Sequence, residues 1–178
     1  RDSTCVESVW WALRQIWNKD LLYAGHKVVP YCPRCGTALS SHEVAQGYQD
    51  VVDLSVFVRF PVLDAHGPLL AGDELIVWTT TPWTLVSNAA VAVDPGLTYV
   101  RARAADDDRA LIVAEALVTR VLGEEAEILE RFPGAAMAGA RYEAPFAFLP
   151  ADTYGPRGHT VLTADFVTAE DGSGLVHT

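Results

Sequence analysis

Three consecutive threonines lie between two tryptophans in residues 78–84, Trp-Thr-Thr-Thr-Pro-Trp-Thr, directly after an apolar run. β-Branched residues favour an extended backbone, and Pro82 restricts Thr81 to β or polyproline geometry. Because side chains alternate along an extended strand, Thr79 and Thr81 are expected to share one face, with Thr80 on the other. Hydroxyls at a strand end could hold a small polar ligand at a cavity mouth; the alternative is an edge strand with solvated threonines.

A second candidate site is the CxxC motif formed by Cys32 and Cys35. Two thiolates on one tight turn can bind the same tetrahedral metal, and Gly36 permits close approach of the backbone. Structural zinc needs four ligands, and a second CxxC is absent from the sequence. His26 and His42 flank the motif and could complete a site, but a ligand pair outside this chain is favoured. A redox role is less favoured, because the βαβ context of thioredoxin-like motifs is missing.

A glycine-rich turn and a histidine form the third candidate, in residues 171–177, Asp-Gly-Ser-Gly-Leu-Val-His. The glycine spacing fits neither a Rossmann nor a P-loop motif. His177 is either an ordinary core or edge histidine or, if it faces the threonine strand, a site residue. Asn88 could cap a turn or reach into a cavity. No nucleophile triad or carboxylate pair is evident, and hydroxyl, amide and imidazole groups are suited to orienting a water and a substrate.

Composition limits the classes of protein to which this chain can belong. Half of its 178 residues are apolar and a fifth are charged, which is typical of a globular protein. The formal net charge of −10 argues against a surface for non-specific nucleic-acid binding. We find neither a signal peptide nor an apolar run of about 18 residues, the length of a membrane span. The chain begins inside a helical pattern without an initiator Met, so we interpret it as a piece of a longer polypeptide.

The hydrophobic pattern predicts a mixed α/β fold that is mainly β. A helix is expected over residues 4–20, with a capping box formed by Thr4 and Glu7 and an apolar stripe that is either core or a face for another domain. A ribbon follows, with the CxxC at its turn. Strands are predicted at 56–60, 75–78, 90–93, 99–103, 127–131, 159–166 and 174–177, and a short helix at 115–122. We divide the chain into residues 1–46, the helix and ribbon, and residues 47–178, a barrel-like domain.

Four motifs together resemble the isoleucyl-tRNA synthetase family, in particular its editing domain and the connecting ribbon. They are residues 30–44, 56–61, 78–85 and 171–177. Valyl and leucyl relatives typically carry Thr-Thr-Arg-Pro and then an acidic residue, where this chain has Thr81 before the proline and Trp83 after it. The resemblance therefore favours the isoleucyl branch.

The resemblance implies a proofreading activity. A hydrophobic pocket rejects valine, which lacks one methylene of isoleucine, by only roughly 1–3 kcal/mol, and isoleucyl-tRNA synthetase is itself the standard worked example of this limit. The implied reaction is hydrolysis of Val-tRNA(Ile), with valyl adenylate left open as a second substrate. The alternatives are the editing domain of a valyl or leucyl relative and a non-catalytic zinc-ribbon module that positions tRNA.

The resemblance also implies roles for individual residues. The threonines should line the pocket and bind the aminoacyl group or the terminal adenosine, and Thr81 and His177 should exclude isoleucine. Asn88 should be a further polar contact, and Trp78 and Trp83 should shape the walls unless they are core residues. The implied catalytic set is Thr80, Asn88 and His177, and the implied substrate-binding set is Trp78, Thr79, Thr80, Thr81, Trp83 and His177.

The same resemblance implies partners and cofactors. Cys32 and Cys35 would be half of a zinc site, while ATP and Mg²⁺ would be used only by the catalytic core of the longer enzyme. The partners would be the 3′ end of tRNA(Ile) carrying valine and the rest of the synthetase chain, in a cytoplasmic, monomeric enzyme without membrane contact.

Overall fold

The computed structural model describes residues 2–52, 54–146, 148–150 and 152–178. The chain separates into two compact units, residues 1–51 and residues 52–178. The predicted fold class, mixed α/β and mainly β, is confirmed. The strands among the described residues form three separate sheets, of two, three and five strands, and not one closed barrel. In the same part of the chain, no helix is long and apolar enough to cross a membrane.

Helix α1 opens the first unit and spans Ser3–Trp17. Its N-terminal cap is Asp2, whose carboxylate accepts a hydrogen bond from the backbone N–H of Thr4 at 3.0 Å. The predicted capping box that begins at Thr4 is therefore wrong, because a better-placed acceptor lies two residues earlier. The helix ends at Trp17 with Asn18 as its cap, three residues before the predicted end.

The predicted ribbon around the CxxC is confirmed as a short hairpin. Strand β1, Tyr31–Cys32, pairs antiparallel with strand β2, Thr37–Ala38. Helix α2, Ser41–Ala45, follows and was not predicted. It is one turn long and starts at a true capping box, in which Ser40 and Glu43 bond each other's backbone N–H groups.

The second unit contains a five-stranded and a three-stranded sheet. Its strands are β3 Val56–Pro61, β4 Glu74–Thr79, β5 Ala90–Val93, β6 Thr98–Arg103, β7 Leu111–Ala114, β8 Glu127–Pro133, β9 Thr160–Thr163 and β10 Leu175–His177. The larger sheet has the order β3-β4-β7-β6-β8 and the smaller one β10-β5-β9. All pairs are antiparallel except β4 with β7 and β5 with β9.

The predicted helix at 115–122 is confirmed in two parts, a 3₁₀ turn over Glu115–Leu117 and helix α3 over Val118–Leu122. Gly123 ends it with φ of 92°, a conformation that glycine adopts without steric cost. Strand β7 was missed by the sequence analysis. Its four residues are all buried, so they show no alternation by which a strand is recognised.

A buried tyrosine ties the core to the glycine-rich turn before β10. Tyr99 in β6 is fully buried, and its hydroxyl donates a hydrogen bond of 2.6 Å to the backbone carbonyl of Gly174. The same hydroxyl accepts a bond of 3.1 Å from the backbone N–H of Asp94. Burial raises the pKa of Tyr99 to about 12, so the hydroxyl stays protonated as a donor. The start of β10 is thereby fixed to β6, an interior strand of the large sheet.

We expect Tyr99→Phe to lower the free energy of unfolding by about 1–2 kcal/mol, because the ring stays packed while two backbone groups lose their partner. Tyr154→Phe is the matched control, since the Tyr154 hydroxyl bonds the Ser87 carbonyl at an exposed position. Urea unfolding of both variants measures the difference. Equal effects would show that the buried hydroxyl is not the anchor.

Candidate functional site

A cavity of about 210 Å³ brings together two of the three motifs found in the sequence. It lies where the end of β4 meets β10, two strands that belong to different sheets. The lining residues are Trp78, Thr79, Thr80, Thr81, Val176 and His177. The histidine therefore faces the threonine strand, which was the condition for interpreting it as a site residue.

The three threonines have different environments. Thr79 is buried, and its hydroxyl oxygen accepts a hydrogen bond of 3.0 Å from the backbone N–H of Thr81 and lies 3.3 Å from the Thr81 hydroxyl. Thr79 and Thr81 thus lie together, as predicted. Thr80 is exposed and lines the same cavity, although it was placed on the opposite face. Its hydroxyl has no hydrogen-bond partner among the described residues, so it is available to a ligand.

The placement of Thr80 follows from the end of the strand. Strand β4 stops at Thr79, and a 3₁₀ helix begins at Pro82 and continues to Ser87. Thr81 has φ of −124° and ψ of 65°, which is neither β nor polyproline geometry, so the predicted extended conformation there is wrong. Strict alternation of side chains no longer applies once the chain leaves the strand.

Thr84 is a site residue that sequence analysis missed. Its hydroxyl donates a hydrogen bond of 2.6 Å to the Thr81 carbonyl, and the same oxygen lies 3.1 Å from Nε2 of His177. A hydroxyl has one hydrogen, which Thr84 already donates, so Nε2 must carry the proton and donate to the oxygen. One sequence signal could have identified Thr84. It lies three residues after Thr81, with Pro82 between them, and this i, i+3 spacing brings two side chains together in a helical turn.

The second ring nitrogen of His177 completes this assignment. Nδ1 is buried and has no hydrogen-bond partner among the described residues. When the proton is on Nε2 of the neutral ring, Nδ1 carries no hydrogen and is a buried hydrogen-bond acceptor without a donor in the part of the chain that the structure describes. Burial also lowers the pKa of His177 below its ordinary value of 6.5. The histidine is therefore neutral at pH 7, with fixed tautomer and orientation.

The lowered pKa predicts how stability depends on pH. Between pH 6.5 and the folded-state pKa of His177, the unfolded chain binds a proton that the folded chain does not, so the free energy of unfolding falls as pH falls. His177→Gln removes this contribution. Unfolding measured from pH 7.5 to pH 5 should show a shallower decline in the variant than in the wild type. Identical slopes would show that His177 has an ordinary pKa in the folded protein.

Asn88 is a buried structural residue in this geometry and is not among the residues that line the cavity. It is the C-terminal cap of the 3₁₀ helix, and its amide nitrogen donates to the Ala90 carbonyl at 2.9 Å. Its amide oxygen accepts a 2.6 Å bond from the Tyr142 hydroxyl, and its backbone carbonyl lies 3.1 Å from Nε2 of His159. The side chain is thus committed to hydrogen bonds that join the end of the 3₁₀ helix to β5 and to Tyr142.

The two tryptophans of the motif separate. Trp78 is half-buried and forms a wall of the cavity. Trp83 is 66% exposed and does not line it, so this residue is neither a wall of the cavity nor a core residue. The reason is again the 3₁₀ helix, which turns position 83 away after the strand has ended.

The cysteine motif forms a turn suited to a thiolate. The backbone N–H of Cys35 donates to Sγ of Cys32 at 3.3 Å, and this bond lowers the pKa of Cys32. Among the described residues, no group of three or more His, Cys, Asp or Glu side chains could hold a metal ion. His26 and His42 therefore do not complete a site, and Nε2 of His42 instead lies 2.8 Å from the amide of Gln46. The hairpin brings two cysteines together, whereas structural zinc requires four ligands.

Comparisons with protein families and with individual proteins both relate this chain to tRNA synthetases. The family model of the class I tRNA synthetases (I, L, M and V) matches residues 2–153. The chain is 52% identical over 177 residues to the isoleucine–tRNA ligase of Streptomyces coelicolor and 47% identical over 176 residues to that of Thermus thermophilus. Each alignment covers 99% of this chain and 16% of the relative, so the chain spans about a sixth of the length of these ligases.

Solved structures with a similar fold are parts of leucyl-tRNA synthetases. The editing domain of the P. knowlesi cytosolic leucyl-tRNA synthetase matches with a TM-score of 0.52 at 12% identity, over 74% of this chain and 60% of that one. The structure of GlLeuRS-CP1 matches with a TM-score of 0.54 at 18% identity, over 70% of this chain and 53% of that one. At such identities the likeness establishes the fold. By its family match and its fold, the chain belongs to the class I tRNA synthetases of the isoleucyl, leucyl, methionyl and valyl group.

Proposed function

We propose that this chain is the proofreading domain of an isoleucine–tRNA ligase and that it hydrolyses valine from mischarged Val-tRNA(Ile). The observation that carries the proposal is the cavity in which the threonine triplet meets His177. The comparisons support the proposal, because about half of the residues along nearly the whole chain are identical to those of isoleucine–tRNA ligases. In the reaction, water adds to the ester carbonyl and releases valine and the free ribose hydroxyl of the tRNA.

The proposed selectivity depends on size. A synthetic site that accepts isoleucine cannot exclude the smaller valine strongly, so a second site must admit valine and exclude isoleucine. A cavity of about 210 Å³ with indole, imidazole and threonine walls is of the size to hold a small amino-acid side chain. Thr81 and His177 line the cavity, and we propose that they are the walls that one additional methylene would meet. Thr84 holds the imidazole in that position.

The proposed chemistry uses positioning groups. Thr80 has a hydroxyl without a partner among the described residues, so it is the group placed to bind the aminoacyl ester or the attacking water. The hydroxyls of Thr79 and Thr81 are already joined to each other and shape the wall. Nε2–H of His177 is committed to Thr84, and Nδ1, the ring nitrogen that could accept a proton, is buried. The imidazole therefore acts as a fixed wall and not as a general base. Asn88 has a structural role, through its hydrogen bonds to Ala90 and Tyr142.

The experiment compares hydrolysis of Val-tRNA(Ile) and Ile-tRNA(Ile). The 178-residue chain is assayed beside a chimera in which it replaces the matching segment of the S. coelicolor ligase. We expect the chimera to release valine and spare isoleucine, and the native ligase is assayed in parallel for comparison. A chimera that aminoacylates tRNA normally but releases neither amino acid would contradict the proposal.

The remaining expectations are proposals about the longer enzyme. We propose that its catalytic core uses ATP and Mg²⁺, that the rest of the synthetase chain and the tRNA(Ile) 3′ end are the partners, and that the enzyme is a cytoplasmic monomer. We also propose that Cys32 and Cys35 bind zinc with ligands from elsewhere in the longer chain.

The zinc proposal predicts a difference between two variants. In the chimera, Cys32→Ser should remove bound zinc, whereas Cys5→Ser, which changes the exposed cysteine of α1, should not. Metal content after dialysis measures both. Equal zinc content in the two variants would show that the hairpin is not a ligand pair.

A further inference from the structure

Gly172 lies in direct contact with the indole that forms one wall of the cavity. A Cβ atom added at Gly172 would lie 2.7 Å from Cε3, 2.8 Å from Cδ2 and 3.0 Å from Cγ of Trp78, and real Cβ atoms essentially never show the first two distances. All three atoms belong to the rigid indole ring, with Cγ at its attachment to Cβ and Cδ2 at the ring junction, so they cannot yield as the end of a flexible chain can. Gly172 is also buried, with φ of 73°.

Neither side of this contact can withdraw easily. On one side, the backbone of the turn is fixed, because the Ser173 carbonyl accepts a bond of 2.9 Å from the Ala114 N–H and the Gly174 carbonyl accepts the Tyr99 hydroxyl. On the other side, Trp78 lies in β4, where it pairs with Phe57 of β3. The only mobile part is the indole itself, which would have to rotate about its side-chain bonds.

Rotation of the indole changes the cavity, because Trp78 lines it and Gly172 does not. We propose that Gly172 is a specificity-determining residue, whose missing side chain sets the position of the Trp78 wall and so the size of amino-acid side chain that the cavity admits. This inference rests on the proposed editing function. It assigns part of the selectivity to a backbone position that touches no substrate.

The test uses Gly172→Ala and two stable probes, 3′-amino-3′-deoxyadenosine acylated through its amine with valine or with alanine. Gly72→Ala is the matched control, because Gly72 also has a positive φ of 89° but an added Cβ there meets nothing within 4 Å. It therefore carries the same kind of backbone strain without the contact. Both variants and the wild type are labelled with 5-fluorotryptophan, and the Trp78 resonance is assigned with Trp78→Phe.

We expect Gly172→Ala to shift the ¹⁹F resonance of Trp78 and to weaken binding of the valyl probe about tenfold more than that of the alanyl probe, since one or two methyl groups no longer fit. Gly72→Ala should leave both readouts unchanged. In the double variant Gly172→Ala/Trp78→Phe, the smaller ring should restore much of the valyl affinity. If Gly172→Ala alone does not fold, recovery of a folded protein that binds the valyl probe in the double variant tests the same contact.

Several results would overturn the inference. Equal weakening of both probes by Gly172→Ala, or no recovery in the double variant, would show that backbone strain and not the indole contact is responsible. If the wild-type chain binds neither probe, the proposed function fails, and the ¹⁹F measurement decides the contact alone. A Trp78 resonance that does not shift in Gly172→Ala would then refute the proposed effect of Gly172 on the Trp78 wall, and a shifted resonance would support that effect.

Discussion

His177→Ala is expected to make the chimeric ligase hydrolyse Ile-tRNA(Ile), which the unmodified chain should spare. The imidazole forms part of the cavity wall and is held there by Thr84 at 3.1 Å. Its removal opens space for the extra methylene of isoleucine. A methylene in an apolar pocket accounts for roughly 10–200-fold in discrimination, so the preference for valine should fall by a factor in that range. Hydrolysis of Val-tRNA(Ile) should persist, because the neutral histidine is not the proposed base.

Two further variants test whether the change in discrimination comes from the His177 wall of the cavity. His66→Ala removes an exposed histidine outside the cavity lining and should leave discrimination unchanged. Thr84→Val removes the group that fixes the imidazole while keeping the size of residue 84, and should lower discrimination by less than His177→Ala does. Unchanged discrimination in His177→Ala, with folding intact, would show that this side chain does not set the size limit.

Asn88→Ala is expected to lower the free energy of unfolding by about 2–4 kcal/mol, because it leaves the buried Tyr142 hydroxyl without an acceptor and opens a void. Tyr142 is 1% exposed, and burial raises the pKa of its hydroxyl, so the group cannot escape by ionising. Urea unfolding of the chain measures the loss. The activity per folded molecule should change little, since the amide is committed to structural bonds.

A double variant distinguishes this structural role from a catalytic one. In Asn88→Ala/Tyr142→Phe both partners of the 2.6 Å bond are absent, so the cost should be clearly less than the sum of the two single substitutions. A catalytic role for Asn88 predicts the opposite pattern. Hydrolysis would then be lost in each Asn88 variant while the free energy of unfolding stayed close to that of the wild type.

Most of the strands and the threonine motif were predictable because local signals agree there. The alternation in 56–60 and 99–103 predicted β3 and β6, and the CxxC predicted the hairpin turn. The pairing of the threonine motif with His177 was indicated by family resemblance. No property of residues 171–177 alone could show which strand His177 faces, because that depends on the packing of two sheets.

Other features could not be read from the sequence for identifiable reasons. The role of Thr84 depends on a single 3₁₀ turn that starts at Pro82, and the proline signal alone does not distinguish such a turn from an extended exit. Strand β7 has no alternation because it is buried on both faces. The commitment of the Asn88 amide depends on Tyr142, a partner more than fifty residues away whose position only the fold defines.

The pairing of β10 with β5 determines when the cavity can exist during synthesis of the chain. Leu175, Val176 and His177 pair with residues 91–93, so one wall comes from the end of a long intervening segment. Closing such a loop is slow relative to forming local turns. On the ribosome, the threonine end of β4 would emerge long before its facing wall, and the site would remain unassembled until His177 had left the exit tunnel. Assembly of the cavity would therefore have to wait until the whole segment between β4 and β10 had been synthesised.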